Sequence, residues 1–505
     1  MTDNVGLGGV YDATLGRIKG QGGEKARLGM ATLMWITHSE RPLNPNELCH
    51  ALAIEIGLPN FDAENIPSVG FIVACCQGLV TVDKEASTVR LIHFTVQEYL
   101  LARPELFSSA HSTIAETCLS YLNCEQIKAL SASPDSNLED SNLEDSDLEE
   151  PDPRDSDLED SKIQSTTFLQ YSSLYWGIHA KRDLSDCAKL LALKLFSDFN
   201  NHISIEILLK AQEIYEADAD FDYLSLFSRL HCASFFGIVE IVASLVEVED
   251  CDINQGDCIG NTPLALAAWN GHEEVVEILL GRDDVSPDKP DRFGRTPLGW
   301  AASSGREGVV NILLGHDDVN PDTPDTDGIT PLWEAARNGH EGAVKILLGR
   351  DGVNPDKQDF NGYTPLWAAA LDGHEGVVKI LLEQTGVNPN TGRSDGRTPL
   401  WAAAHTGNEG VVKILLGRDD VNPNKPSDDT PLSCAAWNGD EGVVKILLQR
   451  DDVNPDQPDK SGRTPFWYAS ERGHAGVAAL LQPLAFTMPS PPQSGETIIT
   501  ACNYG

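Results

Sequence analysis

The chain has 505 residues, 41% of them hydrophobic and 23% charged, enough for two or three globular domains. Lys and Arg total 37 against 77 Asp and Glu; the net charge of -40 repels phosphate backbones and anionic lipid, so nucleic acid and membrane are not expected partners. No apolar run reaches bilayer-spanning length, Met1–Tyr11 lacks the marks of a secretory signal, and the 11 cysteines are scattered without a Cys-x-x-Cys pair, so a cytoplasmic protein is expected.

Residues 1–27 read as the remnant of a preceding module or as disordered. Leu28 to Trp35 is apolar and helical. Asn44 can cap a helix Pro45 to Ile56, with Leu48, Ala51, Leu52 and Ile56 on one face. A helix over 67–77 ends at Gly78. Two strand-like runs follow, Leu79 to Val82 and Val89 to Ile92, and a last helix begins at Thr95 with Val96, Tyr99 and Leu100. Helices, a hairpin and another helix predict a winged-helix-like α+β domain over 28–130. Acids outnumber bases between 31 and 110, so a DNA-reading face is not expected there.

Residues 131–164 repeat Ser-Asn-Leu-Glu-Asp and close variants of it. Between 135 and 160 they carry 13 acids and one base. Such a composition cannot bury a core, and an acidic disordered linker is expected. Residues 165–227 read as a helical connector or N-terminal cap, and the Pro/Ser-rich tail 483–505 as disordered.

A fixed period governs 228–482. Thr-Pro pairs open at Thr262, Thr296, Thr330, Thr364, Thr398, Thr430 and Thr464, at spacings of 34 except for one of 32. Ser228 holds the Thr position one repeat earlier, making eight units. Gly-Val-Val-Lys-Ile-Leu-Leu recurs unchanged at 376–382, 410–416 and 442–448. In each unit Thr is a good N-cap, and Pro fits the first helical position, where no amide donor is needed. A Gly such as Gly373 ends the first short helix, and a second follows from Glu375 to Leu382. Neither helix can bury its apolar face alone, so neighbours must stack. The stretch between units, such as Gly417 to Pro423, is rich in turn formers and reads as an extended finger.

Thr-Pro-Leu followed by Ala, with helices of about two turns, resembles the ankyrin repeat. The resemblance covers roughly 228–482. Most units carry one residue more than usual, and the family's His is kept only at His231. Trp333, Trp367, Trp401 and Trp467 replace it in four units and are expected to pack between neighbours. The unit before Thr430 lacks two residues, so its finger tip is expected to be blunt or skewed. The expected fold is mostly α: an ankyrin-repeat solenoid preceded by a winged-helix-like domain.

The N-terminal half carries Arg41-Pro42-Leu43, Glu47-Leu48, Cys76-Gln77-Gly78-Leu79 and His93-Phe94-Thr95 with Glu98-Tyr99-Leu100. These resemble the winged-helix region of fungal NACHT/NLR-like (STAND) proteins, a region of the inositol-deacylase type. Tyr175-Trp176-Gly177 resembles their connector, and Tyr11-Asp12 with Leu15 and Ile18 the trailing edge of their nucleotide-binding module. The resemblance implies a nucleotide switch, but no phosphate loop is present: Gly20 to Lys25 is followed by Ala26 where a hydroxyl is required. His93 matches a nucleotide-contacting histidine of that family and is expected here only to pack or cap a helix.

No catalytic constellation, metal-ligand spacing or cofactor motif stands out, so the chain is expected not to be an enzyme. Protein partners are expected instead. In ankyrins the slot before the helix-ending Gly faces the concave side. Here it holds Trp269-Asn270, Arg337, His405 and Trp437-Asn438. The residue before Thr-Pro also varies and includes Arg295, Tyr363, Arg397 and Arg463. These ten residues form the candidate protein-binding surface. His272, His340, His374 and His474 recur after the Gly and are expected to make helix-terminal hydrogen bonds.

Overall fold

The computed structural model describes residues 7–131, 167–197, 202–211, 226–248, 251–393, 395–424 and 429–482. They fall into two compact units, Met1–Thr326 and Asp327–Gly505. The acidic segment beyond Ser131, the tail from 483 and the shortened finger tip before Thr430 lie outside the described residues.

In the first unit, α1 (Leu7–Gly20) and α2 (Gly23–His38) precede α3 (Pro45–Ala53) and α4 (Val69–Cys75). Strands β1 (Val80–Asp83) and β2 (Thr88–Leu91) pair antiparallel, Val80 opposite Leu91, and α5 (Phe94–Leu101), α6 (Ala110–Leu122) and α7 (Glu125–Ser131) follow. Asn44 caps α3 through a full capping box. Its side chain accepts from the Glu47 amide at 2.8 Å, and the Glu47 carboxylate accepts from the Asn44 amide at 2.9 Å. Arg41 grips the same carboxylate with two guanidinium nitrogens, which accounts for the Arg-Pro-Leu…Glu-Leu string. Gln77 and Gly78 adopt φ of 50° and 83°, so the Cys-Gln-Gly-Leu string is the tight turn that delivers β1.

Of the two readings of 1–27, disorder does not hold for Leu7–Gly20, which form α1. Tyr11, Leu15 and Ile18 recur at helical spacing and are buried. The Tyr11 hydroxyl meets Thr95 Oγ1 at 2.7 Å, and Asp12 accepts from Tyr99 and pairs with Arg103, so α1 is fastened to α5.

The connector forms α8 (Leu169–Arg182), α9 (Asp186–Ser197) and α10 (Ile203–Ala211). It shares a core with the winged-helix-like part. Phe168 and Tyr171 lie edge-on to Trp35 with ring centres 5.7 and 5.9 Å away, and Phe168 also meets Tyr121 at 5.3 Å. The middle of α8 seats the first repeat: Trp176 contacts Phe236 at 5.2 Å. A Cβ on Gly177 would fall 2.1 Å from the Phe236 ring, so only glycine permits this approach.

From Ser228 onward, eight helix pairs are described, three opening in the first unit and five in the second. Each opening residue caps its helix: Thr262, Thr364 and Thr398 accept from the amide three residues on at 3.1, 3.1 and 3.2 Å. Pro follows every Thr, and a glycine with positive φ ends each first helix, as Gly271 and Gly373 do at 79° and 81°. Val377, Val378 and Leu381 bury the inner stripe of a second helix. Trp333, Trp367 and Trp401 are buried as expected, whereas Trp467 is only half-buried.

Candidate protein-binding surface

Within each unit, three kinds of contact recur between neighbouring repeats. His272 Nε2 reaches back 2.9 Å to the Phe235 carbonyl, the open end of the preceding first helix, and His474 does the same to Trp437 at 3.0 Å. Arg306 takes this role toward Trp269, and Asn408 toward Leu371. The expected helix-terminal bond is present at His272 and His474, and the helix being capped is that of the previous repeat. A second tie comes from arginine. Arg282, Arg418 and Arg450 donate to the carbonyls of Val246, Leu382 and Leu416 at 2.7, 2.8 and 3.1 Å, while each chelates an Asp two residues on.

The third tie runs along the fingers. Asn254 donates to the Asp284 carbonyl at 2.6 Å and accepts from the Ser286 amide at 2.7 Å; Asn390 repeats this with Asp420 and Asn422. In several of the described fingers an aspartate shapes the turn. Asp291 accepts from the amides of Phe293 and Arg295, and Asp359 from those of Asn361 and Tyr363. The sequence reading saw turn formers here but not these pairings.

In the first unit, Trp269 is half-buried and lies between Phe235 and Trp300, with ring centres at 6.5 and 5.5 Å. Trp300 donates its indole N–H to Asp291, and Arg295 lies over its ring at 4.4 Å. Asn270 is turned back onto the Leu266 carbonyl at 3.0 Å. The result is an aromatic row across three repeats, edged by one guanidinium.

In the second unit, Trp437 is half-buried, with Arg472 stacked 3.5 Å over its ring and Tyr468 edge-on at 5.5 Å. Arg463 lies 5.1 Å over Tyr468 and pairs with Asp459 at 2.7 Å. Arg397 lies over one face of Trp401 at 4.4 Å, and His405 stacks on the same indole at 4.9 Å. Burial lowers the His405 pKa, which favours the neutral ring where it meets the indole and the Cys434 thiol. Arg337 is exposed and lies 3.8 Å from Asp372. Asn438 is exposed, with its amide on the His405 carbonyl at 2.7 Å.

Tyr363 departs from expectation. It is 8% exposed and stacked on Trp367 at 3.8 Å, in a core cluster with Trp401 and Cys434. The position before Thr-Pro is therefore not uniformly a surface slot. An apolar ring there finds a neighbouring indole, and an arginine keeps its head at the rim by lying over one.

One further constellation went unseen in the sequence. Glu40 follows α2, His111 lies in the first turn of α6, and His179 lies in the last turn of α8. Their ligand-capable atoms all lie within 4.8 Å of one another. His111 Nδ1 is 2.8 Å from His179 Nδ1, and Tyr171 Oη is 3.0 Å from His179 Nε2. Arg182 pairs with Glu40 from α8. Desolvation pushes the pKa of buried His179 down to about 3 and lowers that of His111. His111 and His179 are 68 residues apart, so no local spacing announced the group. His93, by contrast, caps α5, as expected, by accepting from the Thr95 amide at 3.3 Å.

Among the described residues no helix is long and apolar enough to cross a membrane. Residues 17–115 match the family described as the winged helix domain of GPI inositol-deacylase. Ankyrin repeats match over 193–291, 283–359, 351–427 and 417–488. No curated protein matches the chain. With more than half its length so matched, and with capped helix pairs recurring from Ser228 to Leu481, the chain belongs to the ankyrin-repeat family.

Proposed function

We propose that the chain is a non-enzymatic, cytoplasmic protein-recognition module that holds protein ligands against its concave face and finger tips. The observation that carries this reading is a division of labour inside the repeats. Caps, clamps and core residues recur from unit to unit, while the ends of the first helices differ and stay open to solvent. Trp269 and Trp437 offer half-buried aromatic surface, and Arg337, Asn438 and Arg472 offer exposed polar groups. Aromatic and arginine groups of this kind commonly anchor interfaces.

The test is site-specific photocrosslinking. A crosslinker at Asn438 should capture a partner that one at Lys413, on a second helix, does not. That partner, purified, should bind wild-type chain and lose affinity for Trp437→Ala. Equal capture from both positions would remove the reading.

A second reading rests on the winged-helix-like part. Ile92 and Phe94 are 52% and 64% exposed on either side of His93, an uncovered apolar edge. In this reading the chain is the regulatory half of an NLR-like receptor that works with a nucleotide-binding module. An in-frame phosphate-loop motif in the genomic sequence upstream of Met1 would favour it, and a stop codon just upstream would count against it.

A further inference from the structure

We propose that Glu40, His111 and His179 form a site for a zinc-class divalent ion, which pins the end of α8 to the winged-helix-like body. The three ligands come from three elements, so an ion bound there would tie them together more firmly than the present hydrogen bonds. Two imidazoles and one carboxylate suit borderline ions such as zinc, whereas calcium and magnesium favour all-oxygen sets. Three protein ligands leave one tetrahedral position for water.

The geometry is close to what coordination requires. Zinc–nitrogen bonds of about 2.0–2.1 Å at tetrahedral angles place two nitrogens roughly 3.3 Å apart. The two Nδ1 atoms stand at 2.8 Å, so binding needs an opening of about half an ångström. His111 is half-buried and can supply this by turning its ring. The Glu40 carboxylate is now held by Arg182, whose side chain is 47% exposed and can swing into solvent once a dication replaces it.

An outer partner is already in place. Tyr171 Oη lies on the far nitrogen of His179 and accepts from the Glu40 amide at 3.1 Å. Metal-bound histidines ordinarily give their second N–H to such a group, which fixes the ring's orientation. One tyrosine thus braces two of the three ligands. Asp183, the residue after Arg182, adds a negative charge near His111.

The experiment uses the full chain, stripped with chelator and then titrated with Zn2+ by calorimetry. Wild type should bind one equivalent and melt at a higher temperature when loaded. His111→Ala and Glu40→Gln change half-buried residues, and metal-free melting temperatures near wild type would show that both fold. Each should weaken binding by roughly 100-fold or more, since even outer-sphere changes cost about 10–100-fold. Tyr171→Phe should weaken it by about 10-fold. Co2+ should give tetrahedral d–d bands without thiolate charge transfer. No saturable binding, wild-type affinity in both ligand variants, or a thiolate band marking a cysteine site would each overturn the proposal. The result is independent of whether the repeats recognise protein.

Discussion

The winged-helix-like part with its connector, and the repeats of the second unit, are stabilised by different kinds of contact. In the repeats a contact made once is made again about one period later: Arg418 grips the Leu382 carbonyl, and Arg450 grips that of Leu416. In the N-terminal part each decisive contact occurs once and over a long reach. Glu40 donates its amide to Tyr171 across 131 residues, and Trp35 meets Phe168. Stability in the first case is a sum of neighbour terms, and in the second it belongs to one shared core.

The sharpest way to break this comparison is to empty one large core position in each region. Phe168→Ala and Trp401→Ala remove rings that are 0% and 1% exposed, and each should cost about 3–5 kcal/mol. The spread should differ. Hydrogen exchange should rise throughout α2, α6 and α8 for Phe168→Ala, but only in the repeats flanking Thr398 for Trp401→Ala. Uniform loosening of the second unit would show that its repeats do not act as neighbours.

Acid should distinguish the regions next. His231 occupies the third helical position of its repeat, where Trp333, Trp367 and Trp401 stand in three repeats of the second unit. It is buried, donates to or accepts from Ser228, and lies 3.0 Å from the Asn261 carbonyl. Burial moves its pKa from 6.5 to about 4. Because the folded value lies below the unfolded one, the unfolded chain binds the proton more readily. Stability is therefore complete above pH 6.5 and is lost as pH falls toward 4, by about 1.4 kcal/mol per unit. In denaturant titrations at pH 7 and 5, His231 should account for roughly 2 kcal/mol of the loss, a share that His231→Gln removes. An unchanged slope in the variant would remove His231 as its source.

Arg450→Ala probes the repeated clamp. It removes bonds to the carbonyls of Leu416, Arg418 and Val421 from a largely covered guanidinium. A loss of about 1–2 kcal/mol is expected after allowing for solvent screening, read from urea midpoints. Arg418→Ala, with one such carbonyl bond, should cost less.

The smallest stability effect is expected at Trp437. Its ring is half covered by Arg472 and Tyr468, so Trp437→Ala should cost about 1 kcal/mol, well below the 2–5 kcal/mol expected for Leu447→Ala. Partner affinity should fall more than stability does. Equal stability losses at Trp437 and Leu447 would place Trp437 in the core.

Much of the repeat region was legible because its determinants are local. Thr364, Pro365 and Gly373 act within one helix, and the 34-residue period marks where neighbours meet. The wing hairpin was predicted to within a residue for the same reason: alternating β-branched residues flank a turn. The surface slots were less legible. Tyr363 and Arg397 share a position before Thr-Pro, yet one is core and the other lies over an indole at the rim.

By itself, then, the sequence determined the helix pairs, their caps and their stacking partners, because a repeated unit shows its contacts through its period. Only the tertiary structure decided that α1 is folded, that the connector and the winged-helix-like part share one aromatic core, and that Glu40, His111 and His179 meet. Those contacts join residues far apart in the chain, each made once, and no spacing along a sequence encodes a pairing that folding alone brings about.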